Sequence, residues 1–268
     1  MAEGAPLLRE YVGKTCIEGS NPSDSARTVF GEIRRRPRKP CRPGVAGLFC
    51  FAGTVLAGLL TPAHSRAAGG HHAVDDAAIL DPGQCQLEAW AEQASDHRLQ
   101  HLGQACRASG VEIGWNLDRS VDHAEPIARS MGLQLKWARD LQPGLGLGLG
   151  AVWAAGWQNG SPRFAGQTLL VPLSWSPRDD LVLHLNVGRD FRQDAPDVAR
   201  QGVALEWHPA APWQALVEWW RDALGPQRRV GLRYIVDDRV SVDLSRAQAL
   251  DASRGAWWTL GLNWTLGR

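Results

Sequence analysis

The chain has 268 residues, 44% of them hydrophobic, and a formal net charge of +1. This balance gives no basis for a nucleic-acid binder or for a polyacidic partner. The slightly negative mean hydropathy excludes a protein of many apolar helical spans. It leaves room for a barrel, whose strands are apolar on one face only.

In chain order, residues 1–33 are polar and unpatterned, and residues 34–42 (RRRPRKPCR) are strongly basic. An uncharged run from Gly44 to Leu60 and a small-residue stretch ending at Ala67-Ala68 follow. That is the order of a secretory signal with cleavage after Ala67; the alternative is an uncleaved anchor, for which the run is short. Residues 1–67 are therefore expected to be an extension plus a cleaved signal, with translation starting later than Met1. Cys16, Cys41 and Cys50 leave with it, and the remaining pair, Cys85 and Cys106, is expected to form a disulfide in an oxidising compartment. His71 and His72 are weak candidates for loose Cu or Zn binding. A solvated terminus is the preferred reading, and no metal or other cofactor is expected.

From about residue 105 the sequence alternates with period two in ten segments. The last is the clearest: Ala256, Trp258, Leu260, Leu262, Trp264 and Leu266 on one face, Trp257, Thr259, Gly261, Asn263 and Thr265 on the other. Short connections rich in Pro, Gly and Asp lie at 141–144, 176–180, 208–212 and 237–239. They alternate with longer polar ones at 118–127, 158–163, 189–201, 221–228 and 245–255. Short periplasmic turns alternating with longer external loops are a property of outer-membrane barrels.

The thirteen Trp residues sort by strand end. Trp137, Trp175, Trp207, Trp213 and Trp264 fall at the short-turn end. Trp115, Trp157, Trp219, Trp220, Trp257 and Trp258 fall at the other. Two aromatic girdles, one at each interface, follow. The segment 84–94 also alternates, but counting it gives eleven strands, and bacterial barrels have even numbers. A hairpin turning around 95–104 would set Cys85 against about Gly114, out of bonding reach of Cys106. The expectation is an all-β, transmembrane, antiparallel up-and-down barrel of about ten strands over 105–268. Residues 68–104 are then a periplasmic or luminal segment, and twelve strands result if 84–94 and one more within 69–83 join the wall.

The face turned from lipid carries Glu112, Asn116, Gln134, Lys136, His184, Asn186, Glu206, Glu218, Arg233, Asp243 and Asn263. This mixture of signs supports either a narrow passage for a small solute or a packed network of ion pairs that plugs the lumen. Ser174, His184, His208 and Asp243 share that face, but no G-x-S-x-G marks a nucleophile, and no enzymatic activity is expected.

These segments, turns and girdles resemble small Gram-negative outer-membrane β-barrel proteins and, more loosely, the transporters of the phenol-degradation meta-pathway type. The resemblance implies outer-membrane lipid as surroundings and handling by the general secretion and barrel-assembly machineries. The chain departs from it at Arg268, where a final aromatic is usual. The expected function is passive passage or binding of a small solute by a monomeric barrel, with a plugged structural barrel as the alternative. A soluble periplasmic β-sandwich is the rival fold.

Overall fold

The computed structural model describes residues 71–122, 127–251 and 255–267; the signal and cleavage reading lies outside them. Twelve strands follow one another: β1 Cys85–Gln93, β2 His97–Ala108, β3 Val111–Asp122, β4 Ala128–Gln142, β5 Leu147–Gln158, β6 Phe164–Arg178, β7 Leu181–Arg192, β8 Val198–Ala210, β9 Trp213–Asp222, β10 Gly225–Ile235, β11 Val240–Ala249 and β12 Ala256–Leu266. Each pairs antiparallel with the next, and β1 closes on β12 from Cys85↔Leu266 to Gln93↔Trp258. The result is a single closed barrel, not the two packed sheets of the rival sandwich.

Alternation decides which way each side chain points, and here it is inverted relative to a soluble protein. On β7, Val187 is 60% exposed while its neighbour Asn186 is 3% exposed. On β9, Val217 is exposed between the buried Leu216 and Glu218. Outward apolar positions form a continuous band around the wall, and the polar side chains turn in. No helix among the described residues is long and apolar enough to cross a membrane.

The wall has twelve strands, the larger of the two expected counts, and both strands beyond ten lie within 84–108. β1 is the segment that parity had removed from the wall. Its partner is not the strand beginning near residue 105 but β2, which starts at His97 after a turn of Ala94–Asp96. That turn places Cys85 directly opposite Cys106, with Cα atoms 4.0 Å apart and the disulfide formed. The cysteine argument failed because it placed the turn at 95–104, where two thirds of β2 lies. β2 escaped notice because its outward face reads Arg98, Gln100, Leu102, Gln104, with one apolar residue in four.

The expected long loops are also mostly strand. β9 and β10 are joined by Ala223–Leu224 alone, and β7 continues to Arg192 before β8 resumes at Val198. Polarity in these stretches marks the edge of the apolar band, whereas backbone pairing continues beyond it.

An arginine in the middle of the outward band should be costly. Val217→Arg is expected to lower unfolding stability in phospholipid vesicles by about 2–4 kcal/mol, measured by urea titration. The same change at the outward Gln201, above the band, should cost about 1 kcal/mol or less.

Candidate functional site in the barrel lumen

Residues 71–80 do not lie outside the barrel. They run through its lumen as an irregular, bent segment, with Val74, Ala77 and Leu80 each 6% exposed or less. A buried irregular segment has backbone donors and acceptors to satisfy, and here wall side chains satisfy several of them. Glu218 of β9 accepts from Ala73 N and Val74 N, both at 3.1 Å to Oε2. Asn186 of β7, with its amide oriented to suit both partners, donates to Asp75 O (2.8 Å) and accepts from Asp75 N (2.6 Å). Ser174 of β6 accepts from Ala77 N at 2.7 Å, and Glu112 of β3 from Leu80 N at 3.0 Å. Arg229 of β10 donates to His71 O, and Arg107 of β2 to Leu80 O at 2.8 Å.

Charge is balanced across the same contact. Lys136 of β4, 5% exposed, lies between Asp75 (2.7 Å) and Asp76 (2.5 Å) of the luminal segment. Arg229 pairs with Glu218 (2.8 Å) and Glu92 (3.4 Å). Arg233 pairs with Asp243 through Nε (2.5 Å) and donates from Nη2 to His72 Nε2 (3.0 Å). Asn263 donates to Asp243 Oδ2 at 2.7 Å, and His184 Nε2 stands 3.6 Å from Glu206. Removing one partner of a buried pair costs about 3–5 kcal/mol, because the other charge is left uncompensated. Packing completes the fit: Val74 joins Ala204, Leu216, Trp220, Ala247 and Trp257 in an apolar cluster. The wall is recessed where the segment passes. A Cβ on Gly202 would meet Val74 Cγ2 at 2.7 Å, and one on Gly148 would lie 3.2 Å from Ala77 O.

Of the eleven polar residues singled out from sequence, Glu112, Lys136, Asn186, Glu218 and Arg233 bond the luminal segment directly, and Asn263 is tied to it through Asp243 and Arg233. Gln134 instead lines a cavity. This cavity, about 330 Å³, lies between the inner face of β1–β4, the luminal segment, and inward residues of β8–β10 such as Arg200, Asp222 and Arg229. Trp90 stacks on His101 there, ring centroids 4.4 Å apart. His101 in turn bonds Asp118 (2.6 Å) and Glu88 (3.1 Å). Glu92, Lys136 and Arg229 also face this space.

The eleven girdle candidates divide by face, nine outward and two inward. Trp115, Trp137, Trp175, Trp207, Trp213, Trp258 and Trp264 are exposed on the outer face, and Trp157 and Trp219 share its parity while partly covered. Trp220 and Trp257, assigned to the same girdle by position, face the lumen instead and are buried. Adjacent Trp pairs must split between faces when the period is two. Trp90, Glu88 and Glu92 were missed because β1 had been left out of the wall. Arg229 was missed although it shares the inward parity of Arg233.

His71 and His72 are not at a solvated terminus. They stack at 5.1 Å and have Arg229 and Arg233 as neighbours. His71 Nε2 bonds Ser245 Oγ at 2.6 Å. Two guanidiniums beside them oppose a bound cation, and no group of three metal-ligating side chains occurs among the described residues. Ser174 does meet His184 (2.7 Å), but the hydroxyl is engaged by Ala77 N. Asp243 is bound to Arg233 instead.

Residues 56–266 match the family model described as "Uncharacterised conserved protein UCP029691", and the chain belongs to that family. No curated protein sequence matches it. Its fold is similar to that of the KdgM porin (TM-score 0.54, 11% identity, 67% of this chain and 98% of that one). It is similar also to the NanC porin (TM-score 0.51, 12% identity, 68% and 100%). A further similar structure is the KdgM porin in complex with disordered oligogalacturonate (TM-score 0.52, 10% identity, 67% and 98%). At these identities the likeness concerns the fold.

If the wall residues hold the segment as described, a Val74→Cys reporter is shielded from a membrane-impermeant maleimide. Adding Lys136→Met, which strands Asp75 and Asp76, should speed labelling roughly tenfold or more. Gly202→Val should do the same by occupying the space of Val74. Unchanged labelling in both would show that these contacts do not retain the segment.

Proposed function

We propose that this protein is an outer-membrane barrel that binds a small polar solute in the cavity along β1–β4 and passes it when residues 71–80 shift. The observation that carries this reading is the partial filling of the lumen. The segment is bonded to wall residues on β2–β4 as well as on β6, β7, β9 and β10, and a space of small-solute size remains beside it. The lining supports an uncharged or zwitterionic solute. Acidic and basic groups face the space together, and the Trp90 ring offers an apolar face among donors and acceptors. This differs from a single-sign track, which would favour a charged polymer. KdgM has been crystallised with oligogalacturonate, but the mixed lining here argues for a smaller and less charged cargo.

A plugged barrel without transport is the second reading, favoured by the number of strands that bond the segment. Reconstitution separates the two. Full-length protein in liposomes should admit small neutral sugars or betaines, tested by swelling. In planar bilayers it should conduct weakly, and deletion of 71–80 should give a larger, steadier conductance. Absence of swelling in the intact protein, together with no solute binding by calorimetry, would favour the plugged barrel. Equal conductance with and without the segment would contradict its role as an obstruction.

A further inference from the structure

At one edge of the outward apolar band the sequence changes abruptly to arginine. Leu117 is followed outward by Arg119, Met131 is preceded by Arg129, and Leu102 by Gln100 and Arg98. On the far side, Trp219 leads to Arg221, Val230 is preceded by Arg228, and Leu244 leads to Arg246. All six arginines are exposed. They lie at the end of the wall that carries the Ala94–Asp96 and Ala223–Leu224 turns, away from the C-terminal end of β12. The opposite edge has Arg139 in a comparable place. Among the described residues, no outward-facing strand position carries Asp or Glu.

The arrangement is costly without an anion. Arg119 and Arg129 are direct cross-strand partners, a juxtaposition of like charges that destabilises a sheet. Arg98 is diagonal to Arg119, since its own partner is Val121. Arg228 is likewise diagonal to Arg221 and to Arg246. The contacts that orient these guanidiniums are neutral ones. Arg119 Nη1 donates to Gln100 Oε1 (3.0 Å), Arg228 Nη2 to Gln248 Oε1 (3.0 Å), and Arg246 lies over the Trp258 ring at 5.2 Å. Each leaves the charge uncancelled and the fork directed along the outer surface. Arg189, at the same level, is bridged to Asp197 (3.3 Å) and is not counted.

We infer that these two clusters, one on β2–β4 and one on β9–β11, bind the phosphate groups of the phosphorylated glycolipid that forms the outer leaflet of the outer membrane. Position selects this occupant: the arginines stand where an apolar band ends, which is headgroup height. Chemistry agrees, because guanidinium forks take phosphate oxygens in pairs. The inference rests on the outer-membrane placement proposed above.

The test uses full-length protein in detergent micelles, titrated with bisphosphorylated lipid A while thermal unfolding is followed. Wild type should be stabilised. Arg119→Gln with Arg129→Gln should weaken the response roughly tenfold, and Arg139→Gln should leave it unchanged. Dephosphorylated lipid A, phosphatidylglycerol and inorganic phosphate should have little effect. An equal response to dephosphorylated lipid A, to phosphatidylglycerol or to free phosphate would overturn the assignment, as would a double variant that behaves like wild type. Both variants are first checked for barrel formation by heat-modifiable migration. If that pair fails to fold, Arg228→Gln with Arg246→Gln tests the second cluster in the same way. Fractionation of the wild type reports on the membrane placement separately. Recovery outside the outer membrane would remove that premise, whereas correct fractionation without a lipid A response would remove this inference alone.

Discussion

The whole structure depends on one constraint: in hydrocarbon every backbone donor and acceptor must find a partner within the protein. A sheet meets it only by closing, and β1 meeting β12 is the closure. Period-two alternation then follows as a second requirement, since each wall residue has either lipid or lumen before it. Outward Leu, Val and Trp and inward Glu, Lys and Arg are consequences of that single geometry.

The lumen meets the same constraint in a different way. Inward charges cannot stay bare in a narrow space with little water. Here the wall pairs many of them with one another and completes the set with its own chain. Asp75 and Asp76 neutralise Lys136, while Glu218 serves two backbone amides and Arg229 together. The segment therefore acts as part of the charge network and not as a loose tail. Its presence shapes the remaining cavity, whose lining includes His71 to Asp75 of the segment.

Much of this was legible in the sequence because alternation is a strong local signal. Strands β3 to β12 and the facing of Lys136, Glu206 and Arg233 can be read from parity alone. β2 could not be read in that way, because its outward residues are polar and so lack the contrast that marks a strand. That omission also displaced β1 and misplaced the turn beside Cys85. Loop lengths were overestimated for a related reason, since Arg119, Arg221 and Arg246 are strand residues beyond the apolar band. The path of residues 71–80 had no periodic signal. It is set by contacts with Glu218, Asn186 and Ser174, which are distant in sequence and become neighbours only when the barrel closes.

The inside-out arrangement is tested most directly by Trp fluorescence in bilayers containing brominated lipids, using variants that keep one Trp each. Trp207, Trp213 and Trp264 should be strongly quenched, and Trp90, Trp220 and Trp257 should be nearly unaffected. Strong quenching of the second set with protection of the first would contradict the account.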